Sequence, residues 1–272
     1  MKRGKGLFLN IIGVLVVFVY FVPIYWMVIT SFKNESEIFK SPPSFWPHDF
    51  QTSSFLNILN NGIGNNFLNS FSIATLSMII VLLLAVPSAY GLARFSIKGK
   101  NSIIMFFLVT QMLPSTIILT PLFIMFNKFG LLNTYAAPII TTATLGIPFS
   151  ILILRTFFLN APKELEEAAK IDGCNRFTAF IRIVIPITRP GIIVSAAISF
   201  LFAWGDLIFS ITFNKDQSLW PLTTQVYQAI GQYGIEWNSI MAIATLTVLP
   251  VVIIFVMLQK HLIKGLVSGA IK

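Results

Sequence analysis

The chain has 272 residues, of which 56% are hydrophobic and only 11% are charged, and its mean hydropathy is +0.82. A soluble domain carries about 25% charged residues, so this composition excludes a soluble protein and predicts an all-α, polytopic membrane protein. The net charge of +9 has a simple cause in membrane topology and does not require nucleic acid as a partner. The single cysteine excludes an internal disulfide framework, and no Cys/His pattern indicates a metal site.

Charge-poor apolar runs of about 20 residues, the length that crosses a bilayer, recur along the chain. The six predicted spans cover residues 7–30, 69–94, 102–126, 135–158, 191–213 and 240–262. The first is too long for a signal peptide and lacks a small-residue cleavage site, so we expect it to be retained. Residues 1–272 are therefore predicted to form a single transmembrane domain with both termini on one side.

Lys and Arg are distributed unequally between the two sides that these spans define. Fifteen of the 19 basic residues fall on the side of the termini, and only Lys33, Lys40, Lys128 and Lys215 fall on the other. Cytoplasmic loops of membrane proteins carry an excess of Lys and Arg, so the distribution predicts cytoplasmic termini. The loop between the fourth and fifth spans is then cytoplasmic as well.

That loop, residues 160–190, is the main charged segment and contains four of the ten acidic residues of the chain. Glu164 and Glu167 fall in the first turns of a predicted helix, where negative charge complements the helix dipole. Asp172 and Gly173 predict the end of that helix, because glycine adopts a left-handed backbone at little cost. The segment is therefore predicted to form two short helices with a break, either as a site for a cytoplasmic partner or as an amphipathic loop on the membrane surface.

The same segment resembles the EAA loop of ABC-importer permease subunits. The resemblance rests on the residue types and spacing of Glu167, Ala168, Ala169, Asp172, Gly173, Phe180, Ile183, Pro186 and Pro190. Cys174 is a departure, because the family commonly has alanine there. The segments A-V-P-S-A-Y-G-L-A-R-F-S-I-K-G-K and P-L-F-I-M-F-N-K-F-G-L-L-N-T-Y and the tail K-G-L-V-S-G-A-I-K look like the second permease subunit of importers for maltose and oligosaccharides.

The resemblance implies a type I ABC-importer permease fold in a bacterial-type cytoplasmic membrane. It also implies a second homologous permease subunit, two copies of a cytoplasmic ATPase subunit and an extracytoplasmic solute-binding protein. ATP and Mg²⁺ would be bound by the ATPase, and this chain would hold no cofactor. The residues that couple the chain to the ATPase would be Glu164, Glu167, Ala168, Ala169, Asp172 and Gly173. The loop at Trp220 and Pro221 would approach the binding protein, and residues 264–272 would touch the ATPase pair.

One acidic residue, Asp206, interrupts a predicted span. A carboxylate at mid-helix costs about 2.5 to 3.5 kcal/mol on insertion, so Asp206 should face protein or water rather than lipid. It is either a polar contact on a solute path, with Trp204 as an aromatic platform for a sugar ring, or an inter-helix hydrogen bond or an interfacial residue. Gln111 and Thr110 are weaker candidates for the same path.

No phosphate loop occurs in the sequence, since G-L-A-R-F-S-I-K-G-K has the wrong spacing and no Ser or Thr after the Lys. No Ser/His/Asp or paired-carboxylate set is present either, so the chain is predicted not to be an enzyme. The predicted function is translocation of a di- or oligosaccharide, driven by separate ATPase subunits. One alternative is an importer of another solute, such as glycerol phosphate or an amino acid, although no Lys or Arg lies in a span interior, away from the span ends. Another is a stand-alone ion-coupled carrier, which would require several ionisable residues at mid-membrane.

Overall fold

The structure is a computed structural model that describes residues 2–60, 62–231 and 234–270, with side chains described for residues 10–60, 62–229 and 236–259. Within these ranges the chain is almost entirely helical, as predicted. The helices are α1 (Lys2–Thr30), α2 (Glu35–Ile38), α3 (Ser53–Asn60), α4 (Ile63–Arg94), α5 (Lys100–Met112), α6 (Leu119–Lys128), α7 (Ala136–Asn160), α8 (Lys163–Ile171), α9 (Arg176–Ala179), α10 (Ile185–Trp204), α11 (Ile208–Phe213), α12 (Thr223–Gln228) and α13 (Trp237–Ala270). The remaining elements are 3₁₀ turns at Ser115–Ile118 and Gln217–Leu219, a π-helical turn at Phe180–Val184, and the antiparallel two-residue strands β1 (Ile230–Gly231) and β2 (Gly234–Ile235).

Five helical segments of the described chain are long and apolar enough to cross a membrane. They are Asn10–Thr30 within α1, Ile63–Arg94, Ala136–Asn160, Arg176–Trp204 and Trp237–Gln259 within α13. The segments Lys100–Met112 and Ser115–Lys128 pass the same test only as a pair, bent by 93°, and count as a sixth crossing if they form one span. The polytopic helical membrane fold is confirmed in these terms.

The third predicted span, residues 102–126, is bent rather than continuous. Helix α5 ends at Met112, and Leu113 has an extended backbone with φ −79° and ψ 133°. Pro114 explains the break, because a proline disfavours the α conformation of the residue before it and has no N–H to donate. The chain resumes at Ser115 after turning by 93°.

The fifth predicted span, residues 191–213, lies nearer the N-terminus in the structure. Helix α9, the π-helical turn and α10 form one apolar segment, with Pro186 and Pro190 both inside α10. The backbone passes through Pro186 without leaving the helical region, so this proline does not mark the start of the span. Helix α10 is capped by Gly205, and α11 starts at Ile208.

The chain divides into two compact units, each described here by itself. The first comprises Met1–Asn65 and Thr224–Pro250. Within it, the Phe32 ring stacks on the rings of Phe50 and Phe55, with centroid distances of 4.5 and 4.9 Å. These aromatic contacts hold the loop after α2 and the start of α3 to the chain that follows α1.

A buried carboxylate organises the loop after α2. Glu37 Oε1 accepts a hydrogen bond from the Ser44 hydroxyl at 2.6 Å and from the His48 N–H at 3.1 Å. The Ser44 hydroxyl, assisted by His48, holds the pKa of Glu37 below its ordinary value, although burial acts in the opposite direction. The Lys33 ammonium donates to the Ser44 carbonyl and lies over the Trp26 ring.

The second unit comprises Asn66–Thr223 and Val251–Lys272. Its main hydrophobic core lies between α4, α7 and the π-helical turn, and its buried residues are Val81, Ala85, Val86, Ala89, Leu92, Ala93, Ala143, Ile151, Leu154, Phe158 and Val184. Many of the α4 residues in this core are alanine or valine. Small side chains let helices approach closely, which is how membrane helices gain packing energy without a hydrophobic driving force between them.

Helix α7 also packs closely on α10. The Ser150 and Ser199 hydroxyls lie 3.0 Å apart across this contact, and both are buried. At Gly191 the backbone comes so near α7 that an added Cβ would lie 2.3 Å from Cγ of Phe157. The two helices therefore form a tight pair in which a glycine is required.

Candidate functional site

Helix α8, within the charged segment, has distinct inner and outer faces. Glu166 and Ala169, three residues apart, are buried against the chain's own helices, whereas Glu164, Glu167 and Ala168 are exposed. The spacing of three places Glu166 and Ala169 on one side of the helix. Of the two alanines predicted to allow close packing by a partner, only Ala168 is accessible, because Ala169 is 3% exposed.

The turn after α8 is a Schellman motif. Gly173 has a φ of +87°. Its N–H donates to the Lys170 carbonyl at 3.1 Å, and the Cys174 N–H donates to the Ala169 carbonyl at 2.9 Å. These two bonds satisfy carbonyl groups that the helix end would otherwise leave unpaired. The helix end predicted at Asp172 and Gly173 is confirmed.

Large apolar side chains are exposed beside the acidic residues of α8. Leu165 is 44% exposed, Ile171 is 87% exposed and Phe177, in α9, is 70% exposed. Exposed apolar groups next to charged ones are typical of a surface that another molecule covers. We name this region the coupling surface; it consists of Glu164, Leu165, Glu167, Ala168, Ile171, Asp172, Gly173 and Phe177.

A buried polar cluster lies behind the coupling surface. The Arg94 Nε donates to Glu166 Oε1 at 2.6 Å, and its Nη2 donates to the Ala161 carbonyl at 2.7 Å. The Tyr90 hydroxyl donates to Glu166 Oε2 at 2.9 Å. Tyr90 and Arg94 are one turn apart on α4, so both reach the inner face of α8 from the same side. We name Tyr90, Arg94 and Glu166 the clasp.

None of Tyr90, Arg94 and Glu166 was predicted from the sequence to belong to the site. A signal was available, since Glu166 shares a helical face with the small Ala169 and stands apart from Glu164 and Glu167. Its partner was harder to find, because Arg94 is 72 residues away in the chain. Such a pairing depends on how α4 and α8 pack, which helical periodicity does not determine.

A cavity of about 330 Å³ opens in the second unit between α5, α7 and α10. Thr110, Gln111 and Ser115 contribute polar groups from one side, and the buried Ser150 and Ser199 contribute hydroxyls from the other. The Gln111 amide Nε2 donates to the Leu145 carbonyl at 3.3 Å. Phe149 and Phe202 supply aromatic surface, and none of the described residues that line the cavity is charged.

Trp204 does not line this cavity. Its side chain is 2% exposed, and its ring packs edge-on against Phe67 and stacks on Phe200, with centroid distances of 5.6 and 5.8 Å. Contact with a sugar ring stays a prediction, and it requires a conformation in which the indole becomes accessible.

Asp206 lies at the break between α10 and α11. Its carboxylate accepts hydrogen bonds from the N–H of Phe209 at 3.2 Å, from the N–H of Ser210 at 3.0 Å and from the Ser210 hydroxyl at 2.7 Å. This arrangement caps the first turn of α11, where unpaired N–H groups favour a negative charge. In this structure both carboxylate oxygens are engaged by the chain itself, and a role on a solute path stays a prediction.

The loop that contains Trp220 and Pro221 is fastened to α4 and to its own start. The Trp220 carbonyl accepts hydrogen bonds from the side-chain amides of Asn66 and Asn69, and its indole N–H donates to the Asn214 carbonyl at 2.7 Å. Trp220 is half-buried and Pro221 is buried, whereas residues 215–218 are exposed. If this loop meets another protein, residues 215–218 form its accessible part.

The predicted contact of residues 264–272 falls outside the residues whose side chains are described. Among the residues that the structure describes, no group of three or more His, Cys, Asp or Glu side chains is arranged to hold a metal ion.

The fold and the site together define a polytopic membrane protein with a structured loop, exposed on one side of α8, between two of its spans. The chain belongs to the family of binding-protein-dependent transport system inner membrane components, whose family model matches residues 81–268. This family is one of transport components of the inner membrane, and the match includes both the coupling surface and the clasp.

Known proteins and one solved structure agree with this assignment. The probable ABC transporter permease protein YurM of Bacillus subtilis is 34% identical over 92% of this chain and 83% of that protein. The sulfoquinovosyl glycerol transport system permease protein SmoH of Agrobacterium fabrum is 32% identical over 92% of this chain and 88% of that protein. A chain of a bacterial ABC transporter that imports the acidic polysaccharide alginate superposes with a TM-score of 0.78 at 19% identity, over 95% of this chain and 96% of that chain. The superposition shows that the chain has an ABC-importer permease fold.

Proposed function

We propose that the chain is a translocating subunit of an ATP-driven importer for a di- or oligosaccharide. The observation that carries the proposal is the coupling surface, which presents acidic and apolar side chains on a short helix held at a fixed angle by the Schellman turn at Gly173. If transport by this chain is driven by ATP, the energy must come from another polypeptide, because the sequence has no phosphate loop. The coupling surface offers a place to receive it.

In this proposal, some of the coupling residues contact the ATPase and Gly173 shapes the turn. Glu164, Glu167 and Asp172 offer carboxylates to basic groups of an ATPase subunit, and Ala168 lets the partner approach the helix backbone. Gly173 sets the direction of the chain after α8. Closure of two ATPase subunits would then move α8 and the spans attached to it as a body, which opens the solute path alternately to each side.

The neutral cavity supports a sugar as the solute. Amide and hydroxyl groups together with aromatic rings suit a polyhydroxylated neutral molecule, whereas glycerol phosphate or a carboxylate would favour a cationic group. By their names, similar permeases belong to a sulfoquinovosyl glycerol transport system and to a diacetylchitobiose uptake system, which supports a sugar derivative as the solute. Of the residues predicted on the solute path, Gln111 lines this cavity, whereas Trp204 and Asp206 do not. A stand-alone ion-coupled carrier is less well supported, because Asp206, the acidic residue of the predicted spans, caps a helix.

The remaining parts of the proposal concern partners and orientation. The charge distribution supports cytoplasmic termini, with the coupling surface on the cytoplasmic side. A second homologous permease, two copies of an ATPase that bind ATP and Mg²⁺, and an extracytoplasmic binding protein complete the importer. Residues 215–218, next to Trp220 and Pro221, are the exposed part of the loop that would meet the binding protein.

Gentle purification from the native membrane, followed by mass spectrometry, tests the proposal. We expect a phosphate-loop ATPase and a second multi-span chain to accompany the protein. Replacing Glu167 by Lys should release the ATPase but keep the second permease. Replacing Arg189, which is exposed outside the coupling surface, by Glu provides a matched charge-reversal control that should retain both. Recovery of the chain alone, with uptake intact in vesicles that lack any ATPase, would indicate a self-sufficient carrier and overturn the proposal.

A further inference from the structure

The clasp connects three helices through one guanidinium group. Arg94 is the last residue of α4, and it donates both to Glu166 of α8 and to the carbonyl of Ala161, the residue that caps α7. We propose that the clasp fastens α8 to α4 and α7, so that a movement imposed on the coupling surface reaches the spans without being absorbed by the connecting loop. This inference rests on the proposed function and makes Glu166 a positioning residue.

The burial of the clasp makes the connection stiff. The side chains of Arg94 and Glu166 are 5% and 11% exposed. The Arg94 Nη1 is buried without a hydrogen-bond partner, and Glu166 is the acid that forms an ion pair with this arginine among the described residues. Removing either member of a buried pair strands an uncompensated charge, so the pair resists separation far more than a surface ion pair does.

Tyr90 extends the clasp into the hydrophobic core. Its ring lies 4.5 Å from the Phe180 ring of the π-helical turn and 5.8 Å from the Phe158 ring of α7, while its hydroxyl holds Glu166. The tyrosine therefore links the inner carboxylate of α8 to the start of the next span as well. The clasp therefore joins α4 to α7, α8 and the π-helical turn.

Two neighbouring carboxylates consequently do different work. Glu167 is exposed and available to a partner, whereas Glu166 is turned inward and engaged by α4. Loss of Glu167 should weaken the attachment of the ATPase. Loss of Glu166 should leave the attachment in place but disconnect it from the spans, which gives the two residues distinguishable phenotypes.

The test uses the complete transporter, purified with its partner subunits, in a Cys174→Ser background that carries Gln111→Cys in the cavity. A membrane-impermeant maleimide reports how accessible this cysteine is, with and without ATP and vanadate. We expect Glu166→Ala and Arg94→Ala each to reduce the ATP-dependent change in labelling rate by about tenfold or more. Tyr90→Phe, which removes one hydrogen bond, should have a smaller effect. Arg182→Ala removes an exposed arginine of the π-helical turn and should leave the change intact.

A variant that carries both changes distinguishes loss of the connection between α4 and α8 from general destabilisation of the protein. If the two residues act as one connection, Arg94→Ala combined with Glu166→Ala should lose no more of the response than either change alone. ATP hydrolysis and co-purification of the ATPase should persist in all variants. A full labelling response in Glu166→Ala, additive losses in the double variant, or loss of the ATPase from the complex would each overturn the inference. A parent protein whose labelling ignores ATP would instead count against the proposed function.

Discussion

Replacing Gly173 by valine tests whether the geometry of the turn after α8 is needed for transport. The φ of +87° lies in the left-handed region, where a β-branched residue is a genuine outlier. No atom lies within 4 Å of the position that a Cβ would occupy. The cost is therefore backbone strain alone, about 1 to 3 kcal/mol. The Cβ itself meets no crowding, so the effect reports mainly on the conformation of the turn.

That cost is large compared with the intrinsic stability of α8. The helix has nine residues, and helices shorter than about 12 residues are marginal without tertiary packing. The strained turn should relax by giving up the two Schellman bonds, each of which contributes about 0.5 to 1.5 kcal/mol. Strain of about 1 to 3 kcal/mol lowers the population of the native turn relative to the relaxed one by about one to two orders of magnitude, since each 1.4 kcal/mol is tenfold.

The assay is ATP-dependent uptake by membranes that contain the whole importer, with membrane insertion measured in parallel. We expect Gly173→Val to insert normally and to abolish uptake. Gly130→Val is the matched control, because Gly130 has a φ of +66° with no atom within 4 Å but belongs to the turn after α6. Gly173→Asn should retain part of the activity, since asparagine tolerates the left-handed region. Normal uptake by Gly173→Val would refute the coupling role of this turn.

Three further predictions concern packing, the helix cap and pH. Gly191→Ala should destabilise the protein by about 1 to 3 kcal/mol through its clash with Phe157. Gly91→Ala should not destabilise it, because the new Cβ would have only an ordinary contact at 3.9 Å. Thermal unfolding in detergent compares the two variants. Asp206→Ala should cost about 1 kcal/mol through loss of the cap, and Asp206→Asn should cost less; an uptake defect in the Asn variant at unchanged stability would place the carboxylate on the solute path. Because the pKa of Glu37 is lowered, its ionised form adds stability above the unfolded-state pKa of about 4.3, and this stability is lost as pH falls through the folded-state value. Unfolding measured against pH should therefore show a shallower acid-side decline in Glu37→Gln.

Features that depend on local chemistry were predictable from the sequence. Apolar run length is a property of each segment by itself, so the helical membrane class followed directly from it. The helix end at Gly173 was predictable for the same reason, since only the residue type and its place after a charged helix were needed. The proline at position 114 was a signal for the bend. The hydropathy of residues 102–126 concealed it, because an average over a segment does not show whether the segment is straight or bent.

Features that depend on packing were not predictable in the same way. Glu166 and Glu167 are adjacent and chemically identical, and although the face shared with Ala169 favoured Glu166 as the inner residue, only the placement of α4 beside α8 brings Arg94 to it. Trp204 resembled a sugar platform in the sequence, but neighbouring aromatic rings cover it. For Asp206, two interpretations stayed open. The sequence did not reveal that a helix starts at Ile208, and the first turn of that helix donates the hydrogen bonds that the Asp206 carboxylate accepts.

The break at Leu113 and Pro114 has a consequence for how solute range can change. The last turn of α5 ends beside the cavity, since Leu113 and Ser115 both line it, and a helix end leaves main-chain carbonyls without intrahelical donors. Any of these carbonyls that faces the cavity would give it polarity that belongs to the backbone. Substitution of Gln111 or Ser150 can retune what the cavity accepts, but the carbonyl groups persist in every variant that keeps the bend. If the cavity lies on the solute path, as proposed, a preference for solutes that donate hydrogen bonds would be inherited with the fold, and the finer choice among such solutes would be left to the side chains.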